Sequence, residues 1–153
     1  MNNNLVQMQI SESMTTNLIT VSPYATLSEA LEIMQNNKVR RLPVVEKGKL
    51  AGIITLIDIY QAEPSDVRQS MSLDKLYDQL SKLTVMVAMT KPPVTIYQTD
   101  TIGHAAEVMM DNKVGGLPVV DADKKLVGLI TESDIFRLIA REWRNENIVN
   151  SGV

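Results

Sequence analysis

Apolar residues recur along this chain in two rhythms, and the order of those rhythms is stated twice. Leu27, Ala30, Leu31 and Met34 follow at three- and four-residue spacing, the stripe of an amphipathic helix. Thr26-Leu27-Ser28-Glu29 has the form of a capping box that opens this helix, and Asn36-Asn37 marks its end. Short β-rich runs flank it. Leu18–Ser22 comes before, turned by Pro23-Tyr24-Ala25. Leu42–Val45 comes after, with a proline at its start where no ladder bond is lost. A turn at Lys47-Gly48 leads to a third run, Leu50–Ile54, and a second helix opens after Thr55. The second half repeats the succession: a strand at Val94–Tyr97, a helix from Thr101, strands near Leu117–Val120 and Leu126–Ile130, then a helix. That last helix is longer. Ile135, Phe136, Ile139, Ala140 and Trp143 form its apolar stripe, and Arg137, Arg141 and Arg144 face away. Its first-half partner is cut short by Pro64. Between the halves, Ser65–Leu83 carries Leu73, Leu76, Leu80 and Leu83 at helical spacing and reads as a linking helix packed across the joint.

The two halves hold one register. Met14-Thr15 returns 75 residues later as Met89-Thr90, Thr20-Val21 as Thr95-Ile96, Asn37-Lys38-Val39 as Asn112-Lys113-Val114, and Leu42-Pro43-Val44-Val45 as Leu117-Pro118-Val119-Val120. Beyond the next turn the shift is 76, carrying Gly52, Thr55 and Asp58 onto Gly128, Thr131 and Asp134. The extra residue falls in the polar turn, Glu46-Lys47-Gly48-Lys49 against Asp121-Ala122-Asp123-Lys124-Lys125, where an insertion costs least. A register kept over so many positions marks an internal duplication.

One phrase carries chemistry in both halves. Gly52-Ile53-Ile54-Thr55-Leu56-Ile57-Asp58 and Gly128-Leu129-Ile130-Thr131-Glu132-Ser133-Asp134 each read as a strand running into a helix. Threonine is an N-cap residue, and an aspartate three positions on lies in the first helical turn, where a negative charge suits the helix dipole. Such a junction offers backbone N–H groups, a hydroxyl and a carboxylate together. Helix N-termini of this kind bind anions, and a carboxylate beside one can take hydrogen bonds from a sugar diol. The plainer reading is that each Thr and Asp only caps its helix.

Composition removes several alternatives. The chain has 153 residues, 44% of them hydrophobic but only 4% aromatic, with nine methionines, so its core is aliphatic. The net charge of −3 gives no reason to expect nonspecific nucleic-acid binding. There is no cysteine, which excludes disulfides, thiol catalysis and Cys-ligated zinc, and the single histidine excludes a His-rich metal site. His104 matches Glu29 under the shift of 75 and reads as a solvated helix position. Met34, Met109 and Met110 read as core filler. Met1–Gln9 reads as a flexible Asn-rich tail without the pattern of a signal peptide, and no apolar run is long enough to span a bilayer. The expected location is the cytoplasm, with no membrane and no nucleic-acid partner.

Two tandem copies of strand–helix–strand–strand–helix, with the doubled Met-Thr, Leu-Pro-Val-Val and Gly-x-x-Thr-x-x-Asp phrases in order, resemble a pair of CBS domains, a Bateman module. The resemblance covers Ile10–Trp143. It implies an α/β (α+β) fold of two β-α-β-β-α motifs packed through their sheets as a pseudo-two-fold pair. The expected division is a tail at 1–9, motif 1 at 10–62, a linking helix at 63–84, motif 2 at 85–147 and a tail at 148–153. Two clefts between the motifs would bind AMP, ADP, ATP or S-adenosylmethionine. In the first, Asp58 would hold the ribose hydroxyls, Thr55 would help hold phosphate, Thr20 and Val21 would edge the adenine, and the backbone around Arg41, Leu42 and Pro43 would frame it. In the second, those roles fall to Asp134, Thr131, Thr95, Ile96, Gly116, Leu117 and Pro118.

The two sites differ. Arg40-Arg41 precedes Leu42-Pro43, whereas Gly115-Gly116 precedes Leu117-Pro118, and Ser133 stands where the first phrase has Ile57. A guanidinium grips phosphate bidentately, and paired glycines admit closer backbone approach. The first site is therefore expected to prefer the more anionic ligand; the alternative is that Arg40 and Arg41 are solvated surface charges. Lys38 and Lys113 add positive charge to both.

The resulting expectation is a regulatory adenosyl-ligand sensor that signals to an unidentified effector protein. It pairs as a homodimer, with Trp143 and Phe136 on the last helix read as a dimer contact in preference to core, has no catalytic residues, binds no metal and requires no cofactor. A structural dimerisation module with unoccupied clefts is the alternative. Nucleotide hydrolysis is a third possibility that lacks a group to activate water.

Overall fold

The structure, a computed structural model, describes residues 3–62 and 72–150. In chain order the elements begin with α1 (Asn3–Gln7), a 3-10 turn at Ile10–Glu12, α2 (Leu27–Asn37), β1 (Arg41–Glu46), β2 (Lys49–Thr55) and α3 (Leu56–Gln61). They continue with α4 (Leu73–Leu80), α5 (Val85–Ala88), β3 (Ile96–Tyr97), α6 (Ile102–Asn112), β4 (Gly116–Val120), β5 (Leu126–Thr131) and α7 (Glu132–Asn150). Two compact units result, one of residues 19–93, the other of residues 1–18 with 94–153.

In the 19–93 unit β1 and β2 form an antiparallel pair, with Arg41 opposite Thr55 and Leu42 opposite Ile54. The connecting turn is tight because Lys47 (φ 49°) and Gly48 (φ 76°) both adopt left-handed backbone, the geometry that fits the twist of the flanking strands. Val21 adds one parallel bridge beside Val44, and Thr90 one antiparallel bridge beside Ile53. The run Leu18–Ser22 is thus a single bridge and not a strand; its one ladder contact is Val21 to β1, through Val21 N–H to Pro43 O at 3.1 Å and Val45 N–H to Val21 O at 2.9 Å. Leu27, Ala30, Leu31 and Met34 of α2 are buried against Leu42, Val44 and Ile54, as their spacing predicts. The capping box also forms. Glu29 N–H donates to Thr26 Oγ1 at 3.2 Å, and Thr26 N–H donates to Glu29 Oε2 at 2.7 Å. That backbone bond holds the Glu29 carboxyl below the usual carboxylate range. At the other end Lys38 takes a left-handed conformation (φ 54°) and closes the helix, and Lys113 (φ 54°) does the same for α6.

The linking region divides. Residues 63–71, including Pro64 and the start of the expected linking helix, lie outside the described residues. From Leu73 the chain forms α4, which ends at Leu80, and a short α5 follows in the segment expected to open motif 2. Leu80 and Val85 are fully buried in the core of the 19–93 unit, whereas Leu73 is exposed. The segment is anchored to the start of α2 by Leu27 N–H to Leu83 O at 2.9 Å and Val85 N–H to Ala25 O at 2.8 Å.

The other unit repeats the plan. β4 pairs antiparallel with β5, and β3 runs parallel beside β4, with Ile96 next to Val119. Of the expected Val94–Tyr97 strand, Ile96–Tyr97 is the paired part. The turn from β4 to β5 takes its extra residue through Asp121, whose Oδ1 accepts from the backbone of Asp123 and Lys125 at 2.9 Å each. Thr15 bridges Leu129, so the Met14-Thr15 phrase lies on the sheet of the second repeat, and Met89-Thr90 lies on the sheet of the first. The repeat in the sequence and the compact unit in space are therefore offset from each other. Asn3–Gln7, expected to belong to a loose tail, forms α1. It packs on α6 and α7, with Leu5 and Met8 against the core.

Two expectations about faces are corrected. Met34 and Met109 are buried, but Met110 is 78% exposed, because one residue along α6 turns the side chain about 100° off the core-facing stripe. On α7, Ile135 and Leu138 point into the core, while Phe136, Ile139 and Trp143 remain exposed. Most of the apolar stripe of α7 therefore lies on its outer face, which excludes the core placement of Phe136 and Trp143 and leaves them where a contact with another chain would need them. His104 lies half exposed beside Glu107, consistent with a solvated helix position.

Candidate ligand-binding site

The doubled phrase folds alike in both units. In the first, Thr55 is the N-cap of α3. Asp58 Oδ2 accepts from Thr55 N–H and from Thr55 Oγ1–H, each at 2.7 Å, and Asp58 N–H donates back to Thr55 Oγ1 at 3.3 Å. In the second, Asp134 Oδ2 accepts from Thr131 N–H at 2.9 Å and from its hydroxyl at 2.8 Å, and Asp134 N–H returns to Thr131 Oγ1 at 3.3 Å. The plain capping reading is thus structurally true, and it uses only one oxygen of each carboxylate. The cap leaves Oδ1 of each over to act as a second acceptor. Asp58 is half-buried, and Asp134 is 9% exposed.

Each helix mouth meets the first strand of its hairpin. Leu56 N–H donates to Arg40 O at 2.8 Å, and Glu132 N–H donates to Gly115 O at 3.2 Å. Pairing of Arg41 with Thr55 and of Gly116 with Thr131 brings the residues before each Leu-Pro beside the Thr–Asp pair, although they are distant in sequence. Arg40 is exposed and Arg41 half-buried at the first mouth; Gly116 is buried at the second. Leu42 and Leu117 are fully buried in their cores, so only their backbone is offered to the site, and Pro43 and Pro118 are buried beside them. Ser133 is exposed on the first turn of α7.

The expected adenine-edging residues lie one lane further across each sheet. Thr20 and Val21 line an open concavity of about 670 Å³ with Tyr24, Glu29, Glu32 and Asn36; Thr55 and Asp58 do not line it. Tyr24 Oη–H donates to Glu46 Oε1 across this region, and the carboxylate pushes the phenol's pKa upward. Thr95 is exposed, and Ile96 is buried in the core. A smaller concavity of about 360 Å³ lies beyond them, lined by Tyr97, Thr99, Val120 and Asp121.

The sequence reading missed one participant. Arg137, expected to face away, turns its guanidinium back, and Nη1 lies 2.7 Å from Asp134 Oδ1. The signal was present as an aspartate and an arginine three residues apart on a helix, a spacing that brings side chains together. The corresponding residue of the first unit is Gln61.

Among the described residues no group of three or more His, Asp or Glu is placed to hold a metal ion, and no helix is long and apolar enough to cross a membrane.

Two hairpin-and-helix repeats, each ending in a Thr–Asp helix mouth, define a mixed α/β protein with two CBS repeats. The CBS domain model matches residues 8–65 and 80–141, and the chain belongs to that family. It is 35% identical over 133 residues to a CBS domain-containing protein of Dictyostelium discoideum, covering 86% of this chain and 91% of that one. It is also 34% identical to an inosine-5′-monophosphate dehydrogenase of Korarchaeum cryptofilum, but spans only 22% of that protein's length. Among solved structures it resembles CBSX2 in complex with AMP, with TM-score 0.72, 28% identity, and 88% of this chain and 97% of that one covered. It resembles equally the CBS domain pair of protein MJ0100 in complex with 5′-methylthioadenosine and S-adenosyl-L-methionine, with TM-score 0.73, 28% identity, and coverage of 88% and 98%.

Proposed function

We propose that the protein is a regulatory module that binds an adenosine-containing small molecule at its two Thr–Asp helix mouths and passes the occupancy to a partner protein. The observation that carries this reading is the division of labour within each carboxylate: Oδ2 is tied into the cap, and the cap leaves Oδ1 as a second acceptor, which at Asp134 takes Arg137. A rigidly held carboxylate oxygen matches a ribose hydroxyl. The AMP complex of CBSX2 and the 5′-methylthioadenosine and S-adenosyl-L-methionine complex of MJ0100 favour the same ligand class. Asp58 and Asp134 hold the ribose, with Thr55 and Thr131 beside the phosphate. Arg40 and Arg41 at the first mouth, and Gly116 and Ser133 at the second, tune the preference for the group attached beyond the ribose. Thr20 and Val21, Thr95 and Ile96, and the backbone of Leu42-Pro43 and Leu117-Pro118 edge the base.

A thermal-shift screen with adenosine, AMP, ADP, ATP and S-adenosylmethionine tests the reading. A ligand at a hundredfold excess over its Kd adds about 2.7 kcal/mol. For a chain of this length that corresponds to a rise of about 5 °C or more. A melting temperature unmoved by every compound would overturn the proposal and leave the dimerisation scaffold.

The outer face of α7 supports a second element of the proposal. Phe136, Ile139 and Trp143 recur at three- and four-residue spacing and are 66%, 42% and 67% exposed. A second copy of the chain covers this face, making a homodimer. Because Asp134 sits in the first turn of the same helix, ligand and partner act on one element. Trp143→Glu is expected to halve the mass measured by light scattering after gel filtration. An unchanged mass for the variant, or a monomeric parent protein, would contradict the pairing.

A further inference from the structure

The two helix mouths draw their positive charge from different elements. At the first, Arg40 and Arg41 arrive from the start of β1, and the helix carries Gln61 three residues after Asp58. At the second, glycines occupy the β4 positions, and the helix supplies Arg137 three residues after Asp134. Arg137 holds Asp134 Oδ1, the one acceptor that the cap leaves over.

The two members of this pair differ in freedom. The Asp134 side chain is 10% exposed and its Oδ2 accepts two hydrogen bonds from Thr131, whose hydroxyl in turn accepts from the Asp134 backbone N–H, whereas the Arg137 side chain is 74% exposed. Surface ion pairs of an exposed long side chain are cheap to open. The guanidinium can therefore swing away while its helix keeps it within a side chain's length of Asp134. A diol arriving at Oδ1 displaces it. A neutral nucleoside offers the displaced guanidinium nothing in return. A ligand with an anionic group beyond the ribose offers it a charge-assisted, bidentate partner.

Resting on the function proposed above, we infer that Arg137 is a specificity-determining residue of the second mouth: it covers Asp134 Oδ1 and is handed over to the phosphate of an incoming nucleoside monophosphate, so that this mouth selects phosphorylated over neutral adenosine compounds. Both mouths then carry an arginine for an anionic ligand, and the charge contrast expected from Arg40-Arg41 against Gly115-Gly116 is much reduced.

The test uses the full chain and the variant Arg137→Gln, which places at the second mouth the residue that position 61 has at the first. Adenosine and AMP are titrated separately and followed by ¹⁵N NMR. The amides of Thr131 and Asp134 report the second mouth, and those of Thr55 and Asp58 the first. In the variant, AMP affinity at the second mouth is expected to fall about tenfold, the effect of losing one charge-assisted contact. Adenosine affinity there is expected to rise about threefold, because the contact of the exposed Arg137 with Asp134 no longer has to open. The first mouth should be unchanged. An AMP-to-adenosine ratio at Thr131 and Asp134 that stays as in the parent would overturn the inference, as would an equal fall at both mouths. AMP binding confined to the first mouth of the parent would also overturn it while leaving the proposed function standing. No shift with either compound in the parent would overturn both.

Discussion

Replacing Asp58 and Asp134 together by alanine is expected to abolish binding of every adenosine compound that the parent protein takes. Each carboxylate has one oxygen that its cap does not use, and hydrogen bonds to a charged acceptor contribute about 1.5–3 kcal/mol each. Two such bonds to a ribose diol amount to a loss of at least a hundredfold in affinity. The same substitution removes the acceptor for Thr55 N–H and Thr131 N–H, and loss of such a cap costs about 1 kcal/mol of stability per helix. Binding must therefore be measured well below the melting temperature of the variant. The pair Asp58→Asn and Asp134→Asn separates the two effects. Asparagine keeps an acceptor for the cap but carries no charge, so stability should stay near that of the parent while affinity falls steeply in calorimetry. Undiminished binding by the double alanine variant would show that the diol is held elsewhere.

Gly52→Ala is expected to damage the fold far more than Gly128→Ala, although the two glycines occupy the same place in the repeat. A Cβ at Gly52 would stand 2.7 Å from the carbonyl oxygen of Thr90 and 3.0 Å from the sulfur of Met89. That carbonyl accepts from Ile53 N–H at 3.1 Å, and Thr90 N–H donates to Ile53 O at 2.9 Å, so the obstructing atom is fixed by two backbone bonds. Relief requires the strand edge to move, and overpacking of this kind costs up to about 3 kcal/mol. For a chain of this size the melting temperature should fall by about 6–12 °C. At Gly128 the nearest atoms belong to the Met14 side chain, its sulfur and its Cγ at 2.9 Å, with Thr15 O further off at 3.2 Å. An unbranched thioether can rotate away, so the loss should be about 1 kcal/mol. Equal losses in urea melts of the two variants would contradict this account.

Local patterning determined much of this protein. The capping box at Thr26–Glu29, the left-handed stops at Lys38 and Lys113, the two-residue turn at Lys47-Gly48 and the caps at Thr55 and Thr131 depend on neighbours within a few residues. For that reason most of them were legible, and so was the duplication that joins them into two repeats; the stops at Lys38 and Lys113 were not, since those lysines read only as positive charge and the helix end was placed at Asn36-Asn37. The Thr–Asp pairs were legible on the same grounds, since both partners lie on one turn.

Other features depended on what the chain folds against. Val21 has one ladder contact, to β1, where a strand was expected. Met110, Phe136 and Trp143 are as apolar as the core residues beside them, and only the rotation of α6 and α7 against their sheet sends them outward. Arg41 stands opposite Thr55, and the Arg40 carbonyl accepts from Leu56 N–H, through the hairpin, a relation between residues well separated in sequence. Met14-Thr15 and Met89-Thr90 each lie on the sheet of the opposite repeat, which no count along the chain reveals. Sequence by itself determined the repeat, its helix caps and the acidic mouths, because those are contacts within a turn or two. Tertiary structure alone decided which apolar faces are covered and which residues of the hairpin stand beside each helix mouth, because burial and strand pairing are set by the partner surface.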